Sequence, residues 1–483
     1  MKRLKQLGLE SIVYGLSGVI SRFLSFLLVP IYTRIFTPED YGVISLVSTT
    51  IAVVSIFAVL ALDNSAHRWY WDTEDLDDRK RTIASWAWCQ FTVSALFALV
   101  IFNSADWLGR LIIGRADAGL YLQLTAAALP LGVLGGVVNN WFRMQRRPWA
   151  TTMYALGTSL LSILLTILLV IGLKWGLQGV YVAQLITAGV GTVVAAWLMR
   201  DWLNPQFVDW KRLREMLRFG LPLIPAGLAF WTVNLSDRYF LKFYASTDEV
   251  GLYAVGGAIA AFVALGTGAF QQAWGPFALS IHKEPDAKQV YANALLAYLW
   301  LTSLISTALA LLAPEMIRLI ATESYLGAHE VVGLIALSYV MIGLGYIASL
   351  GPGLMKHTMP VGIAITVSAF VNIGLNFVLV PRMGKQGAAL AAFVSQSIAP
   401  AYLFYRSQQL YPIPYRFKPA IALLALAGML MWIGSGWHFE NLWMGVVAKV
   451  GLLSLFIPAL FILGIVTPGQ ARRLFRPATA DVM

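Results

Sequence analysis

The chain has 483 residues; 58% are hydrophobic, only 12% are charged, and the formal net charge is +11. Globular chains carry roughly 25% charged residues, and a chain this apolar has too little polar surface to stay in solution. A soluble enzyme or binding module is excluded, and an integral membrane protein is expected.

Charged residues mark off the segments. The first, Ser11 to Ile31, is apolar except for Arg22. Uncharged windows then follow at 41–62, 82–105, 118–142, 148–173, 175–199, 219–236, 250–281, 289–314, 331–355, 358–381, 386–405, 419–437 and 450–471. Each holds about 20 helical residues, enough to cross a ~30 Å hydrocarbon core. Strands of a barrel would instead show segments of about 10 residues with alternating polarity. The window 419–437 is the weakest, so twelve to fourteen transmembrane helices are expected, fourteen being preferred. Lys2, Arg3 and Lys5 look like the start of a signal peptide. The long segment after them carries Arg22 and shows no small-x-small cleavage site, so no cleavage is expected. The single cysteine, Cys89, allows no intrachain disulfide.

The loops set the orientation. The N-terminus is placed in the cytoplasm and the sides alternate. The outer side then holds Arg34, Arg110, Arg115, Lys174, Lys242, Arg318, Arg382 and Lys385. The inner side holds roughly three times as many basic residues, a positive-inside bias. An even helix count puts both termini in the cytoplasm. The net charge therefore belongs to the cytoplasmic face and its anionic headgroups, and no nucleic-acid partner is expected. Trp107, Trp149, Trp175, Trp202 and Trp210 lie near segment ends, as an interfacial belt requires.

The chain also repeats itself. Thr37-Pro38-Glu39-Asp40-Tyr41-Gly42 matches Thr247-Asp248-Glu249-Val250-Gly251, and Gly176-Leu177-Gln178-Gly179 matches Gly384-Lys385-Gln386-Gly387. Two matches at nearly one offset point to a duplicated unit of six helices. The copies share an orientation, so their axis runs along the membrane normal. The expected organisation is a six-helix bundle at 1–200, a basic cytoplasmic linker at 201–218, a second bundle at 219–410, and an appended helix pair with a tail at 411–483. Two bundles enclose a cleft, which a transporter opens to each side in turn.

Arg22, Arg238 and Lys449 are the basic residues left inside segments. An ionised group at the bilayer centre costs at least about 2.5–3.5 kcal/mol and marks a cavity or a substrate. Arg22 lies on a stripe of small and polar residues, Ser11, Gly15, Gly18 and Ser25. Small residues also serve tight helix packing, but packing does not explain a guanidinium. In the seventh segment Asn234, Asp237, Arg238 and Leu241 fall on or near one face, after Pro222 and Pro225, which should bend the helix. Neighbouring side chains point about 100° apart, so Asp237 and Arg238 are expected to find partners elsewhere rather than each other. The first and seventh segments are equivalent in the repeat. Arg22 and Arg238 should then face one cleft, with Arg34 and Lys242 extending a basic wall. Such a wall suits an anion, which arginine binds in a two-pronged manner.

Other polar positions read as structural. Asn139, Asn140, Gln271, Gln272, Asn372 and Asn376 are expected to tie helices together. Lys449 is expected to snorkel, and Glu10 and Asp63 to lie at interfaces. The five histidines are scattered, and no HExxH, CxxC, Walker or GxGxxG arrangement occurs. No cytoplasmic loop could house a nucleotide-binding domain. No catalytic residue, metal or cofactor is therefore expected.

Two stretches carry a resemblance. Ser21-Arg22-Phe23-Leu24, Pro30-Ile31-Tyr32-Thr33-Arg34 and Pro38-Glu39-Asp40-Tyr41-Gly42 resemble the start of bacterial polysaccharide (O-antigen, Wzx-type) flippases. Val380-Pro381-Arg382-Met383-Gly384-Lys385-Gln386-Gly387 resembles their later helix-loop-helix signature. These flippases belong to the multidrug/oligosaccharidyl-lipid/polysaccharide (MOP) exporter superfamily, which also holds the MATE transporters. The resemblance implies two six-helix bundles, often with two extra helices, in the bacterial inner membrane. It implies transfer of an undecaprenyl-diphosphate-linked oligosaccharide to the periplasmic leaflet, in contact with membrane lipids and possible polymerase machinery. Arg22, Arg238, Arg34, Lys242 and Asn234 are the candidate substrate contacts, and Asp237 the candidate for ion coupling. A drug antiporter of the same superfamily is the alternative, but its cavity should be richer in carboxylates. A polysaccharide polymerase or ligase should carry a larger periplasmic loop.

Overall fold

The computed structural model describes residues 20, 23, 24, 26–437 and 442–465. Arg22, its stripe of Ser11, Gly15, Gly18 and Ser25, and Glu10 all lie outside the described residues. Among the described residues every regular element is a helix. In chain order these are α1 (Phe26–Ile35), α2 (Pro38–Val59), α3 (Leu62–Trp71), α4 (Leu76–Leu108), α5 (Ala118–Met144), α6 (Pro148–Ile167), α7 (Gly176–Leu198), α8 (Trp210–Gly220), α9 (Ile224–Leu235), α10 (Asp237–Tyr244), α11 (Thr247–Ser280), α12 (Ala287–Ile320), α13 (His329–Ala348), α14 (Leu350–Leu354), α15 (Met359–Leu410), α16 (Phe417–Ser435), α17 (Leu442–Leu453) and α18 (Phe456–Ile462). Twelve helical runs among the described residues are long and apolar enough to cross a membrane, and α1 is a shorter apolar helix. The chain is an all-α, multi-pass membrane protein.

The α15 run has 52 residues, about 78 Å at 1.5 Å per residue, far more than a hydrocarbon core. Gly384 breaks it with φ 53° and ψ −133°. Its repeat partner Gly176 has φ +57° at the start of α7. The Gly-x-Gln-Gly motif thus encodes a left-handed turn that glycine adopts without penalty.

The chain divides into two compact units, Met1–Ala254 with Ile373–Ala388, and Val255–Asn372 with Ala389–Met483. In the first, Leu62, Ile83, Trp86, Val137, Trp141, Met144, Met199 and Met216 form a buried core. The basic linker belongs to it. Asp209 caps α8 by accepting from the backbone N–H groups of Lys211 (2.9 Å) and Arg212 (3.1 Å). Arg212 pairs with Asp78 and donates to Thr82 Oγ1 at 2.9 Å. Leu213 and Met216 point into the core.

Between α2 and α3, Leu60 and Ala61 adopt left-handed φ of 53° and 52°, a conformation that costs a side-chain-bearing residue about 1–3 kcal/mol. Gln90 Nε2 repairs the break, donating to Val59 O at 2.8 Å and to Asp63 Oδ1 at 2.9 Å. Trp86 Nε1 also donates to Asp63 Oδ1, at 3.1 Å. Asp63 is therefore an acceptor inside the protein, not a solvated interfacial acid.

The other repeat motif makes a helix crossing in the first unit. A Cβ on Gly42 would collide with Thr247 O, and one on Gly251 would collide with Pro38 O and lie 3.0 Å from Gly42 N. Pro38 and Thr247 are themselves equivalent in the repeat, so the contact is reciprocal. Backbone meets backbone and cannot yield as a flexible side chain would. Gly42→Ala or Gly251→Ala should each lower stability by about 1–3 kcal/mol. The double variant should cost less than the sum, because both act at one crossing. Thermal unfolding in detergent measures this, and full additivity would refute a shared contact.

The second unit has a small core of Ala348, Ala364 and Leu403. Asn372 Nδ2 donates to Ser395 Oγ at 3.1 Å there, a tie between the two rods of α15. Lys449 does not snorkel. It is 2% exposed and meets Glu315 of α12 at 2.6 Å, because a long side chain facing a packed helix finds an anion nearer than water.

Candidate functional site

The seventh segment is built in pieces. Pro222 sits in a 3-10 turn, Leu221–Leu223, and Pro225 in the first turn of α9. Gly220, Leu221, Leu223 and Ile224 all keep right-handed helical dihedrals, so the prolines mark where the α-helical ladder gives way to 3-10 inside a continuous run from α8 to α9. The run is interrupted at Ser236, and Asp237 opens α10. Trp231 Nε1 donates to Thr49 O at 3.3 Å, and Tyr239 Oη meets Thr50 Oγ1 at 2.8 Å. These bonds hold α9 and α10 against α2.

Arg238 lies in this seam with its side chain 18% exposed. Its Nε donates to Ser45 Oγ at 3.0 Å, and its Nη1 donates to Asn234 O at 3.1 Å and to Asp237 Oδ1 at 3.1 Å. The ring of Tyr253 lies 5.9 Å from the guanidinium carbon, within cation–π range. The expectation that Asp237 and Arg238 would not pair is corrected. The 100° argument concerns Cβ directions, and a long arginine folds back across that angle. Asp237 is 3% exposed. Its Oδ1 also accepts from the Arg238 backbone N–H at 2.9 Å, and its Oδ2 accepts from Tyr253 Oη. Arg238 Nη2, with two N–H donors, makes no hydrogen bond within the described residues.

The remaining candidates are spread along the same elements. Asn234 Nδ2 donates to Phe230 O at 2.7 Å, and its carbonyl holds Arg238. Lys242 Nζ donates to Thr247 Oγ1 at 2.8 Å, next to Gly114. Arg34 is exposed on α1. The structure therefore brings Arg238, Asp237 and Asn234 together, with Lys242 one turn of α10 further on.

One ionic cluster was not visible in the sequence. Arg115 bridges Asp40 (2.7 Å) and Asp117 (2.6 Å), and Tyr121 donates to Asp117 at 2.8 Å. Hydrogen bonding to Arg115 holds the Asp117 carboxyl below the usual carboxylate range. Asp40 also completes a capping box with Thr37 at the start of α2. Glu249, in the matching position of the repeat, instead binds the Lys385 backbone N–H at 2.9 Å and Nζ at 3.0 Å. The duplicated acids are thus anchors for loops. The only signal for them was the repeat itself, since Arg115 reads as an ordinary loop charge.

Comparison with known proteins places the chain. The profile of a family described as "Polysaccharide biosynthesis protein" matches residues 31–330. The succinoglycan biosynthesis transport protein ExoT of Rhizobium meliloti (strain 1021) is 23% identical over 237 residues, which is 48% of this chain and 45% of that protein. The match thus spans less than half of that relative's length. The lipid II flippase MurJ in an inward closed conformation superposes with a TM-score of 0.73 at 15% identity, covering 96% of this chain and all of that one. An inward-facing MATE multidrug transporter of the MOP superfamily gives 0.69 at 15% identity, covering 84% of this chain and 96% of the other. The fold is that of the MOP exporters.

Proposed function

We propose that this chain, which belongs to the polysaccharide biosynthesis protein family, moves a lipid-linked sugar from the inner to the outer leaflet of a bacterial cytoplasmic membrane. The carrier is undecaprenyl diphosphate, the cargo is a surface-polysaccharide oligosaccharide, and both termini lie in the cytoplasm. The observation that carries the reading is Arg238. It is an arginine within an apolar segment, fixed by three acceptors, whose remaining Nη2 edge offers two donors to an anion. Phosphate oxygens match that edge. Arg22, Arg34 and Lys242 supply further positive charge, and Asp237 is the carboxylate for ion coupling. The names of ExoT, a succinoglycan biosynthesis transport protein, and MurJ, a lipid II flippase, support the same substrate class. In the second unit an apolar cavity of about 520 Å³, lined by Leu295, Leu299, Met341, Phe404 and Ile421 among others, has the chemistry to hold a hydrocarbon chain.

Deleting the gene tests this. The host should lose surface polysaccharide and accumulate a lipid-linked sugar that only membrane-permeant reagents modify. Unchanged lipid-linked sugar, together with new sensitivity to organic cations, would favour drug export instead. Reporter fusions near residues 145 and 475 should both report cytoplasm, and a periplasmic signal at either would overturn the proposed orientation.

A further inference from the structure

The first unit contains a second polar feature, whose lining does not include Arg238. Three helices converge on a cavity of about 340 Å³, within the size range of small-ligand sites. Each helix presents one face at 3–4-residue spacing. Helix α5 contributes Gly132, Gly136 and Asn139, α6 contributes Tyr154 and Ser162, and α7 contributes Gln184 and Thr187. The lining runs from the middle of α5 and α7, at Gly132 and Gln184, toward the α5–α6 turn, at Asn139 and Tyr154.

Two oxygens here are orphaned. Asn139 Oδ1 and Thr187 Oγ1 are buried and have no hydrogen-bond partner among the described residues. Asn139 therefore does not tie helices together through its carbonyl, as the sequence suggested. Buried polar atoms are normally satisfied, and an exception calls for an explanation such as a ligand. Tyr154 Oη does have a partner, donating to Gly191 O at 3.1 Å, which fixes its ring at the cavity edge. Nothing lies within 4 Å of where a Cβ would stand on Gly132 or Gly136. The floor is bare backbone facing open space.

The chemistry selects the occupant. No lining residue is charged, so the cavity has no cation for a diphosphate and no carboxylate for a metal ion. Neutral amides and hydroxyls beside an aromatic ring and glycine backbone suit a group that both donates and accepts hydrogen bonds while offering a flat C–H face. A pyranose ring has these properties. We propose that this cavity is a subsite for a sugar ring of the transported lipid, separate from the arginine that meets the diphosphate. The proposal rests on the flippase reading and adds where the glycan is recognised.

The full chain, reconstituted in nanodiscs, is titrated with two probes. One is bare undecaprenyl diphosphate. The other is the lipid-linked sugar accumulated by a strain lacking the protein. Wild type should bind the glycosylated lipid about tenfold more tightly, the equivalent of one or two good hydrogen bonds. Gly136→Leu starts from a Cβ in open space and projects into the cavity; it should remove that advantage, leaving affinity for the bare lipid unchanged. Asn139→Ala should remove part of it. Neither substitution should lower the thermal stability of the unliganded protein, whereas loss of a structural tie would. An unaltered ratio between the two probes in Gly136→Leu, or equal weakening of both, overturns the subsite while sparing the flippase reading. Failure of wild type to bind either lipid overturns both.

Discussion

Arg238→Ala should abolish surface polysaccharide while the protein remains in the membrane at its normal level. The Nη2 edge can place two charge-assisted hydrogen bonds on a phosphate, and each such bond contributes about 1.5–3 kcal/mol. Losing both should weaken diphosphate binding by at least about 100-fold. Arg238→Lys separates charge from geometry. Lysine restores a cation beside Asp237 but not the planar fork, so binding should recover only in part. Asp237→Asn serves as a further control, because it leaves the guanidinium in place and removes its counter-charge. If Asp237 couples transport to an ion gradient, that variant should bind the lipid yet export slowly and without response to the gradient. The measurements are cell-surface polysaccharide, immunoblots of membranes, and titration with undecaprenyl diphosphate. Normal polysaccharide in both Arg238→Ala and Arg22→Ala would sink the diphosphate assignment.

The two charges at this site also show how far a sequence can be read. Most uncharged windows coincide with helices, because expelling charge from hydrocarbon is a large and non-specific effect; the last, 450–471, starts too late, because Lys449 lies inside α17 and is neutralised by Glu315. The Gly-x-Gln-Gly repeat located the turn at Gly384 for a similarly simple reason, since few residues but glycine take its left-handed conformation. The break at Leu60–Ala61 had no such mark. No glycine or proline stands there, and what supports it is Gln90, some thirty residues away. Ion pairs were the least legible. Arg115 meets Asp40 and Lys449 meets Glu315 across 75 and 134 residues, and no local periodicity reports such distances. The Asp237–Arg238 pair failed for the opposite reason. It was local enough to be judged by helix geometry, but that geometry fixes Cβ atoms and not the end of a long side chain. The orphaned oxygens of Asn139 and Thr187 belong to the same class. Asn139 was legible as a polar residue in a helix, but whether its oxygen is satisfied depends on three helices at once.

Breaking the Lys449–Glu315 pair should produce the largest loss of stability of any single substitution considered. The two side chains are 3% and 12% exposed and 2.6 Å apart, so each depends on the other for neutralisation. Lys449→Met leaves a carboxylate whose Oε2 already has no partner among the described residues, and Glu315→Gln leaves a buried ammonium without its counter-charge. Removing one member of a buried pair costs about 3–5 kcal/mol. Replacing both with Met and Gln should return most of that loss, because desolvation of two charges roughly cancels their attraction. The location decides what unfolds. Glu315 is on α12 and Lys449 on α17, and Trp300 Nε1 of α12 also donates to Phe456 O of α18 at 2.8 Å. Gly434 of α16 packs against Leu311 of α12 as well. The pair is therefore one of several clasps that hold the C-terminal helices on α12. Each single variant should expose α16–α18 to protease before the rest of the chain. Scanning calorimetry in detergent with limited proteolysis tests this. Wild-type protection in both single variants would show that the pair is solvated and contributes little.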